Sequence, residues 1–301
     1  MYYLGIDGGG TKTAFALADE KGRVLRQLVL GPSNPLDIGW HAAMSCLETG
    51  IRQTLEEISP KEVCMFAGIA GGISGDSRER IADFLSSFGF AFFDNGSDAQ
   101  NTVAAGLGKQ KGVVVIMGTG SVAFVQTGES LVRLGGYGYL FETGGSGYAV
   151  GRDAIVAALA YEEQSGAPTC LYTMLLEQLK VPSLTLALGE LYAGGKKQIS
   201  SYAPLVFAAY QKGDKIAEDI LRRNMAAVAQ NLEIARRRLP GEHKIRVVLA
   251  GGMTARADVL IPLIKEKLTC PETYDIEVLD RQNVKGALLL SGMPTQEDMY
   301  D

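Results

Sequence analysis

The chain has 301 residues, carries a formal net charge of −5 and contains 37 glycines, about 12% against a usual share near 7%. Its 47% hydrophobic and 21% charged residues are typical of globular proteins, which excludes disordered and fibrous classes. The acidic balance argues against a nucleic-acid partner, and no apolar run approaches the ~20 residues that span a bilayer. Without a signal-peptide pattern at the N-terminus, we expect a cytoplasmic protein of two domains with no membrane partner.

The first 111 residues read as three strands followed by alternating helices and strands. The predicted elements, in chain order, are strands at Tyr2–Asp7, Thr13–Asp19 and Arg23–Leu30, a helix near Gly39–Ile58, a strand at Glu62–Ala70, a helix near Ser77–Phe88, a strand at Phe90–Phe93 and a helix from about Asp98.

The same order of elements recurs from residue 112. Strand Val113–Met117 runs into a glycine loop as Leu4–Asp7 does, and strand Arg246–Leu249 runs into Gly251-Gly252 as an earlier strand runs into Gly71-Gly72. We therefore predict a duplicated α/β architecture with a central cleft. The first domain is 1–111, completed by a C-terminal helix at about 283–301, and the second is 112–282 with a helical insertion at about 148–238.

The first glycine loop, Gly8 to Thr11, lies between two strands and is therefore a hairpin tip. Gly9 and Gly10 lack β-carbons, so consecutive backbone N–H groups can converge on an anion. The Thr11 hydroxyl and the Lys12 ammonium add donors for a terminal phosphate. An isolated loop of this kind is more often only a tight turn, but its second copy favours a polyphosphate site.

Asp7 immediately precedes this loop. A carboxylate beside a phosphate site repels the phosphate unless a divalent cation lies between them, and Mg²⁺ suits that role, usually through water. Asp7 is therefore the candidate magnesium residue.

The second copy of the loop supplies Gly118, Thr119, Gly120 and Ser121 as further phosphate-binding candidates. Gly251 and Gly252 end a predicted buried strand, where glycine lets a flat ligand such as a nucleobase lie against the backbone. Together these loops predict a nucleotide site.

Asp98 stands at the predicted start of a helix. Its simpler interpretation is an N-cap or first-turn acid. The corresponding turn of the second half, from Asp280 to Asn283, has its acid earlier. This asymmetry favours a second interpretation, in which Asp98 accepts the proton of a hydroxyl that attacks the nucleotide γ-phosphate.

The motifs Gly5–Thr13, Met117–Ser121 and Ala250–Gly252 resemble those of the actin/Hsp70/sugar-kinase superfamily, with its ribonuclease H-like domains. More narrowly, the chain is similar to the N-acetylglucosamine kinase branch, grouped with the BadF/BadG/BcrA/BcrD-type ATPases. The resemblance implies ATP and Mg²⁺ as cofactors, Asp98 as the catalytic base for a sugar 6-hydroxyl, and a homodimer.

The resemblance also implies a sugar site. Asn34, in the loop Ser33-Asn34-Pro35, matches a sugar-contacting residue, although an ordinary turn explains the same residues. The other residues assigned to the sugar by resemblance are Gly71, Asp98, Thr119, Gly120, Glu142 and Thr143.

One segment departs from the family pattern. Where the family has Gly-Asp-Glu-Gly-Ser, this chain has Thr143-Gly144-Gly145-Ser146 preceded by Glu142, so both acids are replaced. Glu142 is a candidate substitute. Our hypothesis is that the smaller residues Thr143 and Gly144 leave room in the sugar site for a bulkier amino sugar such as N-acetylmuramate.

The sequence therefore predicts an ATP-dependent amino-sugar kinase acting on N-acetylglucosamine or N-acetylmuramate. Two alternatives stay open. An ATPase activator of a CoA-ester dehydratase or reductase would need bridging cysteine ligands for an iron–sulfur cluster, and the four cysteines are scattered without a CxxC pair. A non-catalytic sugar or nucleotide sensor is the other alternative.

Overall fold

The computed structural model describes residues 1–128 and 130–294. The contacts between residues divide the chain into two units, which we call the first unit (Met1–Lys109 with Leu279–Asp301) and the second unit (Gln110–Val278).

The described residues form ten strands: β1 (Tyr2–Gly8), β2 (Thr13–Ala18), β3 (Val24–Leu30), β4 (Val63–Ile69), β5 (Phe92–Gly96), β6 (Gly112–Met117), β7 (Ser121–Gln126), β8 (Leu131–Gly135), β9 (Ile245–Ala250) and β10 (Tyr274–Val278). They also form eleven α-helices: α1 (Pro35–Ile38), α2 (Trp40–Leu55), α3 (Ser77–Ser86), α4 (Asp98–Leu107), α5 (Gly147–Glu162), α6 (Cys170–Leu179), α7 (Leu184–Ser200), α8 (Ala203–Gln211), α9 (Lys215–Arg236), α10 (Ala257–Lys267) and α11 (Asn283–Leu290).

The two units contain sheets of the same topology. The strand order is β3-β2-β1-β4-β5 in the first unit and β10-β9-β6-β7-β8 in the second. In each sheet the first three strands in sequence pair antiparallel, and the last two run parallel to the first. Both units are therefore of the α/β class, and the second repeats the strands and glycine loops of the first, as predicted.

Strand β1 is buried on both faces. Leu4 and Ile6 pack with Leu47 and Ile51 of α2 in one core cluster. Gly5, which points the opposite way, has no side chain, and an added Cβ would lie 2.6 Å from the Leu288 nitrogen of α11. Helix α11 therefore packs directly against the backbone of the sheet.

Helix α4 lies beside α11 at an equally close distance. The position of a Cβ on Gly286 would overlap the carbonyl oxygen of Asn101 and lie 2.6 Å from the Ala105 nitrogen. Glycine at this point of α11 thus lets α4 approach, which fixes the helix that begins with Asp98.

The second unit has a core built from β6, β9 and the helices of the insertion. Within it, Val113, Val115 and Met117 pack with α9 residues such as Ile220 and Val228. Helices α5–α9 occupy the predicted insertion. A smaller cluster joins Ile155 of α5 with residues of α6 and α7. Within the described ranges, no helix is both long enough and apolar enough to span a bilayer.

Two predicted boundaries were wrong. Strand β5 runs from Phe92 to Gly96 and not from Phe90 to Phe93, because Asp94–Gly96 pair in register with Phe66–Gly68 of β4. Helix α11 ends at Leu290, since Gly292 has a left-handed φ of 91° and Pro294 follows. The rest of the predicted C-terminal helix, 295–301, lies outside the described residues.

The close approach of α11 to α4 can be tested with Gly286→Ala. A methyl group at this position has no space between the helices, so we expect the free energy of unfolding to fall by about 1–3 kcal/mol. Gly189→Ala is the control, because Gly189 is exposed within α7 and has open space around its Cβ position. That variant should keep or gain stability, by up to about 1 kcal/mol. Urea denaturation measures both, and equal effects would contradict the packing described.

Candidate active site

The carboxyl ends of three parallel strands gather the predicted residues of the first unit. Strands β1, β4 and β5 are parallel neighbours, so their ends share one edge of the sheet. Asp7 lies at the end of β1, Gly71 two residues beyond β4, and Asp98 two residues beyond β5. The topology therefore brings a carboxylate, a glycine turn and a second carboxylate to one edge.

The first glycine loop is a tight hairpin tip. The Gly9 N–H donates to the Lys12 carbonyl at 2.9 Å, which closes the turn and commits that N–H group within the protein. Gly10 and Thr11 form the exposed tip. The N–H groups of Gly10 and Thr11 are therefore better candidates for binding an anion than the N–H group of Gly9.

The Asn34 loop is hydrogen-bonded to this hairpin. The Ser33 N–H donates to the Gly9 carbonyl at 3.1 Å. The Thr13 hydroxyl lies 2.8 Å from both the Ser33 Oγ and the Gly31 carbonyl oxygen, and Thr13 and Ser33 are fully buried. The loop and the hairpin therefore form one connected structure.

Asn34 is the N-cap of α1. Its Oδ1 accepts from the Leu36 N–H at 3.0 Å, and its Nδ2 donates to Asp37 Oδ2 at 2.8 Å. A Cβ on Gly71 would lie 2.6 Å from Asn34 Oδ1, so the structure brings these two predicted sugar residues together. The capping bond gives Asn34 a local structural role that was not predicted, and the sugar contact stays a prediction.

Asp37 is a neighbour that the sequence analysis missed. Besides accepting from Asn34, its Oδ2 lies 3.1 Å from the Cβ position of Gly10 at the hairpin tip. The available signal was its position three residues after Asn34, which places it on the same helical turn.

Asp98 is the first residue of α4, while Ser97 is the N-cap in a capping box with Gln100. The N-cap interpretation of Asp98 is therefore wrong, although the residue does lie in the first turn. Burial raises the pKa of the Asp98 carboxyl above its ordinary value. The Ala99 N–H donates to Oδ1 at 3.0 Å and lowers the pKa, but by less than burial raises it. A half-buried carboxylate not used as the helix cap is suited to accept a proton.

Asp7 is the more strongly perturbed acid. Burial raises its pKa to about 6. The hydrogen bond from Asn101 acts in the opposite direction, the negative charge of Asp98 raises the pKa further, and the charge of Lys12 lowers it. Asp7 and Asp98 are thus close enough to repel each other, and Lys12 is close enough to offset part of this repulsion.

These residues fit a magnesium ion that is held mainly through water. Within residues 1–128 and 130–294, no three His, Cys, Asp or Glu side chains gather as a metal site. Mg²⁺ commonly uses one or two carboxylates together with substrate phosphates and waters. Two half-buried acids that repel each other beside a hairpin tip provide that donor set.

The second hairpin rests on a helix N-terminus. The Gly118 N–H donates to the Gly120 carbonyl at 2.9 Å, as in a tight turn. The Gly147 and Tyr148 N–H groups, in the first turn of α5, donate to the Gly118 and Thr119 carbonyls at 2.8 and 3.1 Å. From sequence alone this segment is only the edge of the predicted insertion, because no local pattern links it to the hairpin.

Glu142 ties this hairpin to α5. Its carboxylate accepts from the Ser146 hydroxyl and from the Ser121 N–H, and burial raises its pKa. Ser146 in turn caps α5 by accepting from the Ala149 N–H at 2.9 Å. Thr143 is exposed. A sugar contact by Glu142 would have to be made in addition to these bonds.

The structure does not support the room predicted at Gly144. A Cβ there would lie 3.1 Å from Asn224 Oδ1 and 3.2 Å from the Ala227 Cβ, both on α9. Asn224 also accepts from the Gly145 N–H at 3.1 Å. The loop has small residues because α9 packs against it.

Gly251 and Gly252 have different surroundings. Gly251 has a φ of 95°, and its Cβ would lie 2.5 Å from the Met117 carbonyl oxygen, so backbone packing requires a glycine here, and its contact with a nucleotide stays a prediction. Gly252 faces open space and lines a cavity of about 310 Å³. The opposite wall, from Ala203 to Gln211 on α8, could not be located from sequence. The lining includes Pro204, Phe207, Ala208, Met253 and Arg256.

The raised pKa of Asp7 predicts that Asp7→Asn stabilises the protein. Above about pH 6 the wild type holds a buried charge that is fully solvated on unfolding, and a shift from 3.8 to about 6 corresponds to at most about 3 kcal/mol. The gain should be complete above pH 6, shrink as the pH falls, and vanish below 3.8, where both states are protonated. Denaturant titrations across this range measure it.

Asp19→Asn is the matched control. The Arg23 N–H lowers the pKa of the partly exposed Asp19, so its charge is favoured in the folded state and its loss should not stabilise the protein. A stability gain for Asp7→Asn that is independent of pH would contradict burial as the cause.

Comparison with known proteins identifies the relatives of the chain. The model of the BadF/BadG/BcrA/BcrD ATPase family matches residues 4–290. The N-acetylmuramic acid/N-acetylglucosamine kinase of Clostridium acetobutylicum is 34% identical over 73% of this chain and 74% of its own. The N-acetyl-D-glucosamine kinase of Dictyostelium discoideum is 31% identical over 88% and 89%.

Solved structures share the fold. A candidate N-acetylglucosamine kinase from Chromobacterium violaceum superposes with a TM-score of 0.71 at 24% identity, covering 96% of this chain and 98% of its own. A ROK family glucokinase from Streptomyces griseus gives a TM-score of 0.58 at 16% identity over 97% and 98%. The predicted actin-like α/β fold and the predicted family are confirmed, and the chain belongs to the BadF/BadG/BcrA/BcrD ATPase family.

Proposed function

We propose that this protein transfers the γ-phosphoryl group of ATP to a hydroxyl of an amino sugar. The observation that carries the proposal is Asp98, a half-buried carboxylate with a raised pKa that is released from capping by Ser97. It follows the strand next to β4, beyond which Gly71 and Asn34 meet. ATP use is expected from the family, and the names of the two curated relatives supply the class of acceptor.

The finer assignment is the 6-hydroxyl of N-acetylglucosamine or N-acetylmuramate. The name of the Clostridium relative includes both sugars, whereas that of the Dictyostelium relative includes only N-acetylglucosamine. Because α9 fills the space beside Gly144, the choice between them rests on these names and not on the size of the loop residues.

In the proposed reaction Asp98 takes the proton of the sugar hydroxyl as its oxygen attacks the γ-phosphorus. The bond from the γ-phosphorus to the bridging oxygen breaks, and ADP leaves with that electron pair. A raised pKa makes Asp98 a stronger base than an exposed carboxylate. Asn34 and Gly71 are the proposed sugar contacts of the first unit, together with Asp37, which bonds Asn34.

Phosphate charge is balanced by several groups in this proposal. In the first hairpin, phosphate is bound by the N–H groups of Gly10 and Thr11 and by the Lys12 ammonium. In the second hairpin, it is bound by the tip from Gly118 to Ser121. Asp7 would hold Mg²⁺ through water, and the bound ion would neutralise charge on the phosphates.

The cavity beside Gly252 is the proposed adenine site. It is mostly apolar, with Met253 and Phe207 in its lining and the Arg256 guanidinium 5.4 Å from the Phe207 ring centre. A flat, weakly polar base suits such a cavity.

The experiment that tests the function is ADP release over a panel of amino sugars, with Asp98→Asn as the variant. We expect sugar-dependent release by the wild type and a loss of at least about 100-fold in kcat for Asp98→Asn, the range for a general base. Asp94→Asn is the control, since Asp94 is an exposed acid four residues earlier and should keep full turnover.

Other outcomes would select the alternatives. Iron in the pure protein, with ATP hydrolysis that no sugar stimulates, would favour an electron-transfer activator. Sugar or nucleotide binding without any turnover would favour a sensor. Full sugar-dependent turnover by Asp98→Asn would disprove the proposed mechanism.

Gly252→Val tests the adenine site separately. The Cβ position of Gly252 has no atom within 4 Å, so the variant should fold while narrowing the cavity. An added isopropyl group that blocks part of an apolar site corresponds to roughly 10–100-fold in KM for ATP, with the KM for the sugar unchanged. Gly189→Val, the same change at an exposed open position, should alter neither constant. An unchanged KM for ATP in Gly252→Val would mean that the adenine binds elsewhere.

A further inference from the structure

Asn101 of α4 contacts Asp7 from inside the first unit. The residue is fully buried, at 0% exposure. Its Nδ2 lies 2.8 Å from Asp7 Oδ1, 3.1 Å from the Ile6 carbonyl oxygen and 3.1 Å from the Gly68 carbonyl oxygen. One amide nitrogen is therefore surrounded by three acceptors from the ends of β1 and β4.

The three acceptors fix the orientation of the amide. Turning it over would place Oδ1 against a carboxylate and two carbonyl oxygens, so only the donor end can face them. The Oδ1 atom has no hydrogen-bond partner within the described part of the chain. A buried acceptor without a partner opposes folding, so packing alone does not account for an asparagine at this position.

The surrounding backbone is shaped around Asn101. A Cβ on Gly68 of β4 would overlap the Asn101 amide, and a Cβ on Gly286 of α11 would overlap its carbonyl oxygen. Side chains are absent on both sides, which lets the amide reach the end of β1. The same helix begins with Asp98, three residues before Asn101.

We propose that Asn101 is the positioning residue of Asp7. Its N–H group holds one oxygen of the Asp7 carboxylate at the end of the sheet and links it to the helix that carries Asp98. The inference rests on the proposed function in one respect, the assignment of Asp7 to the magnesium–nucleotide complex. Without this amide the carboxylate loses its fixed orientation, and the part of nucleotide binding that depends on magnesium weakens.

Calorimetric titration with ADP tests the proposal without any turnover. Affinities are measured with Mg²⁺ and with EDTA for the wild type and for Asn101→Leu, which keeps a similar volume and removes the amide. We expect the gain in ADP affinity given by Mg²⁺ to fall about 10–100-fold in Asn101→Leu, the range for residues that orient a metal ligand. The affinity in EDTA should stay unchanged.

Asn95→Leu is the matched control. Asn95 is a second buried asparagine of the first unit, and its Nδ2 donates to the Arg78 carbonyl at 3.1 Å. This variant should keep the wild-type response to Mg²⁺. In an Asp7→Asn background, Asn101→Leu should cause no further loss, because the group that it positions is gone.

A folded Asn101→Leu with a wild-type response to Mg²⁺ would overturn the proposal. If the leucine variant does not fold, Asn101→Ala, a smaller side chain without a hydrogen-bond donor, is measured in the same way, and a wild-type response overturns it equally. A wild type that binds ADP equally in Mg²⁺ and EDTA would overturn both this inference and the magnesium assignment of Asp7. Failure of sugar-dependent turnover alone would refute the proposed function while the calorimetric result still decides the role of Asn101.

Discussion

The close approach of helix α4 to the end of strand β1 is the constraint on which the first unit depends. Glycines at 68 and 286 remove side chains from both flanks of Asn101, and Gly5 lets α11 lie against the strand behind it. Because a helix packed this tightly moves as a rigid element, it sets the positions of both Asp98 and the Asn101 amide. The geometry of two acids is thus decided by a backbone contact rather than by either acid.

The two acids are held at an energetic cost. Burial raises the pKa of Asp7 to about 6 and that of Asp98 above its ordinary value, and the charge of Asp98 adds to the shift of Asp7. A folded protein tolerates such a pair when other groups offset the repulsion, which the Lys12 charge and the Asn101 hydrogen bond do in part. Perturbed acids of this kind are common at functional sites, and the proposed magnesium–nucleotide complex would offset the remainder.

The second unit repeats the sheet topology but uses its hairpin differently. The first hairpin is bonded to the Asn34 loop through Ser33, whereas the second accepts hydrogen bonds from the first turn of α5 and is tied to it through Glu142. Helix α9 fills the space beside Gly144. The two units therefore differ in what packs against each glycine loop. The cavity beside Gly252 lies in the second unit.

The sequence by itself determined the repeated order of strands and glycine loops, the α/β class and the family. These features depend on residues close together along the chain, such as the strand that runs into Gly8–Gly10 and its copy at Gly118–Gly120. Tertiary structure decided the length of β5, which follows from pairing with β4, and the packing role of Gly251 against Met117. It also revealed Asp37 beside the first hairpin and Asn101 beneath Asp7. Asn101 and the Ile6 carbonyl to which it donates are 95 residues apart, and no local pattern in a single sequence records a hydrogen bond across that separation.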